Sequence, residues 1–174
     1  MALWTWIEGH QNLTVGIVGF VGVIFTLWFS AWQAREQRQE ERRHEIKTLR
    51  AALIEELKIH RETMAHDAAK LDDEEMSETG SIFVPTDPMD DAYRAFIHRL
   101  GLLSQTEVRK VMFAYLSLRT YNAKLFLVGV PPHTGERHVE VPAENGALLS
   151  GMQKGLISPI DEAIGVMERA RDAD

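Results

Sequence analysis

Leu13-Thr14-Val15-Gly16-Ile17-Val18-Gly19-Phe20-Val21-Gly22-Val23-Ile24-Phe25-Thr26-Leu27-Trp28-Phe29-Ser30-Ala31-Trp32 contains no charged residue. As a helix, about twenty such residues are ~30 Å long, the thickness of a bilayer's hydrocarbon core. Trp4 and Trp6 precede the stretch and Trp28 and Trp32 close it, where interfacial aromatic belts are found. Its Thr and Ser hydroxyls cost little in lipid, because they bond back to carbonyls of the preceding turn. The stretch predicts a transmembrane helix over 13–32, with a short extracytoplasmic N-terminus over 1–12. A cleaved signal would need a basic leader and a small-residue cleavage site. The first ten residues hold no Lys or Arg, and Gln33-Ala34-Arg35 follow the span, so the segment is expected to remain as an anchor.

Orientation follows from the distribution of bases. None precedes the span, whereas Arg35, Arg38, Arg42, Arg43, Lys47 and Arg50 follow it, so the C-terminal side is expected to be cytoplasmic. The absence of cysteine is compatible with a reducing compartment. Gly22, Thr26 and Ser30 are spaced by four and form a row of small residues. Such rows let helices approach closely in lipid, and self-association through this face is expected.

Gln33 to Glu45 has no apolar face, yet its residues are adequate helix formers, which predicts a charged helical stalk about 20 Å long over 33–45. Its i,i+4 pairs are mostly like-charged, as in Glu36–Glu40 and Arg38–Arg42. A neighbouring chain offering the opposite row would relieve that repulsion; alternatively the stalk is a solvated face with bases near lipid headgroups.

From Ile46 the pattern changes to a cytoplasmic helical domain over 46–174. Ile46, Leu49, Leu53, Leu57, Met64, Ala68 and Leu71 recur at helical spacing. An acidic run from Asp72 to Glu78 ends that helix, and Ser81 to Pro85 reads as a short extended segment. Asp87 as N-cap with Pro88 in the first turn predicts a further helix carrying Tyr93, Phe96, Ile97 and Leu100, closed by Gly101. Ser104-Gln105-Thr106-Glu107 is a capping box. The helix it opens has Val108, Val111, Met112, Tyr115, Leu118, Asn122 and Leu125 on its inner face, and Gly129 with Pro131-Pro132 stops it. His138 to Pro142 alternates like a strand and is expected to pair with Ile82 to Val84. The last helix starts near Glu144 with Leu148, Met152, Leu156, Ile160, Ile164 and Met167 in one phase. Pro159 either kinks it or opens a separate helix capped by Ser158.

Charge narrows the partners. Five of the 26 acids and six of the 19 bases precede Ala51, which leaves 21 acids against 13 bases and a formal −8 for the rest. Such a surface repels phosphate backbones, so nucleic acid is an unlikely partner.

Tyr93-Arg94-Ala95-Phe96-Ile97-His98-Arg99-Leu100-Gly101-Leu102-Leu103-Ser104, with Glu107-Val108 and Tyr115-Leu116-Ser117-Leu118, resembles a pattern in uncharacterised bacterial single-pass membrane proteins with a small cytoplasmic helical domain. The likeness covers about residues 46 to 128. It implies the architecture and a bacterial inner-membrane location, and no activity. Arg61-Glu62-Thr63-Met64-Ala65-His66 is similar to the R-x4-H motif of HEPN-type ribonucleases, in which an Arg stabilises phosphorane charge and a His moves protons. That likeness makes Arg61 and His66 the catalytic candidates. The competing reading is a solvated helix face, since one spacing of two common residues arises readily by chance.

Glu56 and His60, and Glu62 and His66, share helix faces at i,i+4. Without third and fourth ligands they read as surface pairs and not metal sites. No metal or cofactor is expected, and the glycines follow no phosphate-loop spacing.

The expected molecule is all-α: a transmembrane helix, a polar stalk and a four-to-five-helix cytoplasmic bundle with a short two-stranded β element. Its expected role is a membrane-anchored, self-associating interaction or scaffold protein, with the lipid bilayer, a homo-oligomer and an unknown cytoplasmic protein as partners. The alternatives are an oligomeric membrane pore and a HEPN-like ribonuclease of a defence system. The uncharged span counts against a polar pore.

Overall fold

The computed structural model describes residues 11–72, 80–86, 90–130 and 138–173, with side chains from Phe20 onward in the first helix. The elements run α1 (Gln11–Leu71), β1 (Ser81–Pro85), α2 (Asp91–Phe96), a 3-10 segment (Ile97–Leu102), α3 (Gln105–Val128), β2 (His138–Pro142), a 3-10 turn (Ala143–Asn145) and α4 (Gly146–Ala173). The fold is mostly helical with one two-stranded sheet. The chain divides into two compact units, Met1–Glu45 and Ile46–Asp174.

In the first unit the backbone is helical from Gln11. Phe20, Val21, Val23, Ile24, Phe25 and Leu27 are exposed. Thr26 Oγ1 donates to the Gly22 carbonyl at 2.9 Å, so this hydroxyl is satisfied within its own helix. Among the described residues no helix is long and apolar enough to cross a membrane. The apolar run from Phe20 to Trp32 is thirteen residues, roughly 20 Å of helix against a ~30 Å core. The side chains of 13–19, which complete the expected span, lie outside the described residues, as do Trp4 and Trp6.

The second unit has its core where α1, α3 and α4 meet. From α1 it takes Leu49, Leu53, Ile54 and Leu57, with Ile46, Met64 and Leu71 packed at its margin; Ala68 further along is also buried. The stripe predicted from Ile46 onward is thus the buried face. α3 begins at the expected capping box: Ser104 Oγ accepts from Glu107 N at 3.3 Å, and Ser104 N donates to Glu107 Oε2 at 2.8 Å. It buries Val111, Ala114, Tyr115, Leu118, Tyr121 and Leu125.

The strands pair antiparallel with Ile82 opposite Val141 and Val84 opposite Val139. A two-stranded sheet is marginal alone; this one is held by burial of Val84, Val139 and Val141 in the core. Gly129 caps α3 at this junction, and Val130 N donates to the Glu140 carbonyl at 2.7 Å.

Several sequence expectations are corrected. Met112 is 51% exposed and Leu148 53% exposed, although both were placed on inner faces. A step of four residues advances 400°, so a row of fours drifts 40° per step and leaves the core. The buried row of α4 instead alternates threes and fours through Leu149, Gln153, Leu156, Ile160, Ala163 and Met167. Gly101 does not close its helix, because the 3-10 segment continues through Leu102. Asp90 precedes α2 without a side-chain cap bond and pairs with Arg94 at 2.7 Å. Pro159 lies inside one continuous helix. The acidic residues 73–79, the Asp87-Pro88 start and the Pro131-Pro132 stop lie outside the described residues.

Candidate functional site

Two polar centres lie within the second unit, and both join residues far apart in sequence. Glu107, 1% exposed, receives Arg50 Nε at 2.7 Å and Arg50 Nη2 at 3.4 Å. Arg50 Nη1 also reaches the Ala170 carbonyl at 3.4 Å. Burial pushes the Glu107 carboxyl up, but the Arg50 guanidinium and Ser104 outweigh it and hold the group below the usual carboxylate range. This pair locks α1, the start of α3 and the end of α4 together.

Glu56 forms the second centre. Its carboxylate accepts from Ala92 N at 2.7 Å and Tyr93 N at 3.1 Å, and from the Tyr115 hydroxyl. Tyr93 stacks on Tyr115 with centroids 4.0 Å apart. Burial, then the bond to Glu56, push the Tyr115 phenol up. Glu56 therefore supplies from α1 the cap that α2 lacks. Glu56 is half-buried and His60 buried, so the two are not the surface pair that i,i+4 spacing suggested.

One turn further along α1, His60, Thr63, Asp67, Tyr121, Asn122 and Gln153 line a cavity of about 110 Å³. It shares Asp67, Val84, Pro85 and Gln153 with a more open pocket of about 360 Å³ beside β1. Gln153 Nε2 donates to the Tyr121 hydroxyl at 3.2 Å, while Oε1 has no partner among the described residues. Burial pushes the Tyr121 phenol up to about 12. The cavity offers hydrogen bonds and room for a few waters, with a tyrosine that stays protonated at neutral pH.

The candidate catalytic pair, Arg61 and His66, lies on the exposed surface of α1. Arg61 is exposed and bonded to Asp161 of α4 at 2.6 Å. His66 is also exposed. Five residues on one helix project about 140° apart, so a single chain does not bring the two together. Glu62 is exposed beside His66, and among the described residues no three His, Cys, Asp or Glu side chains gather where they would hold a metal.

Within the second unit an exposed apolar surface lies on α3. Its outer face exposes Met112, Phe113, Leu116, Phe126 and Leu127. Beside it Gly151 and Gly155 of α4 leave open space where a Cβ would stand, and Phe113, Leu116 and the two glycines line a groove of about 430 Å³. The inner stripe expected for this helix covers its buried half and, wrongly, Met112. The signal for the other half was present as apolar residues at 113, 116 and 127, outside the inner stripe. No protein-family model, curated protein or solved structure matches the chain.

Proposed function

We propose that this chain is a single-pass, membrane-anchored and self-associating interaction protein whose acidic helical domain faces the cytoplasm. The observation that carries the reading is the uncharged run Leu13–Trp32, with no Lys or Arg before it and six within the eighteen residues after it. It is supported by the exposed apolar side chains from Phe20 to Trp32 on α1, which cost least in lipid. Gly22, Thr26 and Ser30 supply the packing face of the span. The polar centres serve architecture: Arg50–Glu107 and Glu56 tie helices to one another. In this reading the domain presents its surface to a partner.

The test is flotation and alkaline carbonate extraction of the full chain expressed with membranes. The wild type is expected to float and to resist carbonate. Gly22→Arg, which places a charge at mid-span, is expected to be extracted. Release of the wild type by carbonate overturns the anchor.

A further inference from the structure

Two adjoining cavities lie where α1, α3, α4 and β1 meet. The narrower, about 110 Å³, has Ile59, Met64 and Leu118 on its apolar walls. The wider, about 360 Å³, has Leu71, Ile82 and Leu149. Asp67, Val84, Pro85 and Gln153 line both, so these four stand where the two parts join. Lys70 lines the wider part alone. Apolar walls with a few polar groups converging on them are the ordinary make-up of a small-molecule site.

The polar groups at the junction have bonding capacity left over. Gln153 is 2% exposed and spends Nε2 on the Tyr121 hydroxyl, while its buried Oε1 has no partner among the described residues. A buried acceptor is costly until a donor reaches it, and native structures leave few unmet. Asp67 and Lys70 are three residues apart on α1, the spacing at which opposite charges on a helix meet. Among the described residues they nevertheless form no ion pair with each other, and Asp67 accepts no hydrogen bond. The cavity therefore presents one acid and one base, a helical turn apart. A ligand with a single charge would meet one of them and be repelled by the other. A ligand carrying both signs on neighbouring atoms meets both.

We propose that these cavities bind a free α-amino acid with an aliphatic side chain. Its ammonium is held at the junction by Asp67 and Gln153 Oε1, and its carboxylate points into the wider part toward Lys70. Its side chain enters the narrower part, between Met64 and Leu118. Charge-assisted bonds to both ends fix the orientation. A peptide bond at either end would remove one of the two charges, which selects the free amino acid. The narrower part is smaller than the ~150 Å³ engineered cavity that takes benzene, so it suits a leucine- or methionine-sized chain and not an aromatic ring. Asp67, Lys70 and Gln153 all belong to the second unit, so the inference does not rest on the membrane anchor.

The test is equilibrium dialysis of the full chain in phosphatidylcholine nanodiscs against radiolabelled L-leucine, with empty discs as the blank. Saturable binding is expected, with L-methionine as an effective competitor. Isopentylamine keeps the side chain and the ammonium but lacks the carboxylate. 4-Methylpentanoate lacks the ammonium. Each is expected to compete about ten-fold less well than L-leucine, and glycine, which has no side chain, likewise. Asp67→Asn is expected to weaken L-leucine binding about ten-fold, and the exposed Lys70→Gln several-fold. Arg119→Gln, on the outer face of α3, is expected to leave it unchanged. A melting curve of each variant confirms folding. No saturable binding of L-leucine or L-methionine up to roughly 10 mM overturns the proposal and leaves the cavities to water. So does equal competition by the amine or the acid alone, or unchanged binding by folded Asp67→Asn.

Discussion

Glu107 and Arg50 carry the largest single-residue consequence in the domain. Removing one partner of a buried, hydrogen-bonded ion pair typically costs about 3–5 kcal/mol, because the other charge is left without compensation. Glu107→Ala is therefore expected to lower the urea midpoint sharply, read by helical circular dichroism. The pH dependence follows from the depressed folded carboxyl. As pH falls, the unfolded chain takes up the proton first, near an ordinary value of about 4.3. The pair's contribution is thus complete above that value and disappears as pH falls through the lower folded one. A Glu107→Gln variant should lose less stability than the wild type over that acid range. Glycines give a second contrast. A Cβ on Gly129 would meet Val139 Cγ1 at 2.3 Å and the Glu140 carbonyl oxygen at 2.8 Å, so Gly129→Ala is expected to destabilise by about 1–3 kcal/mol. Gly151 sits in helix interior facing open space, and Gly151→Ala should stabilise by roughly 0.5–1 kcal/mol. Thermal melts of the two variants should move in opposite directions. The Ser104–Glu107 box was legible because both partners lie within one turn. Arg50, 57 residues from Glu107, was invisible to local spacing and entered the sequence reading only as a base flanking the membrane.

At the scale of elements, α4 decides more than its pattern promised. Pro159 removes one backbone donor from a continuous helix, yet Leu156, Ile160 and Ile164 on either side stay buried, and packing holds the helix together across it. Pro159→Ala restores the donor and relieves the ring's contact with the preceding turn, so it should raise the melting temperature, with a gain of up to ~3 kcal/mol. A lower melting temperature would show that the proline shapes the helix to its groove. The strand over 138–142 was legible from its alternation, because a period of two belongs to the strand itself, whereas its pairing with β1 across the intervening helices is a tertiary contact. The inner rows of α3 and α4 were read with the right elements but the wrong edge. Rows of four drift around a helix, and only contact with a neighbour shows where the core ends. Glu56 makes the same point between elements: nothing in its own helix reveals that it caps α2, which lies 36 residues away.

For the whole molecule, two exposed apolar surfaces belong to different units and separate by mutation. The small-residue row belongs to the unit ending at Glu45, and the exposed apolar face of α3 belongs to the unit beginning at Ile46. In nanodiscs, Gly22→Leu/Ser30→Leu should reduce the mass of the wild-type assembly by weakening packing of the span. An unchanged mass would leave the domain as the sole seat of association. The sequence alone determined the uncharged run of 13–32, the sign of the charge on each side of it, the capped start of α3 and the alternation of 138–142, because hydropathy, capping and alternation are written within a few neighbouring residues. Only the tertiary structure decided that Arg50 meets Glu107, that Glu56 serves α2, that Gln153 lines a cavity, and that α3 keeps a basic, apolar face uncovered. Those outcomes depend on which surfaces of distant segments come into contact, a property of the packed core and not of any one stretch of chain.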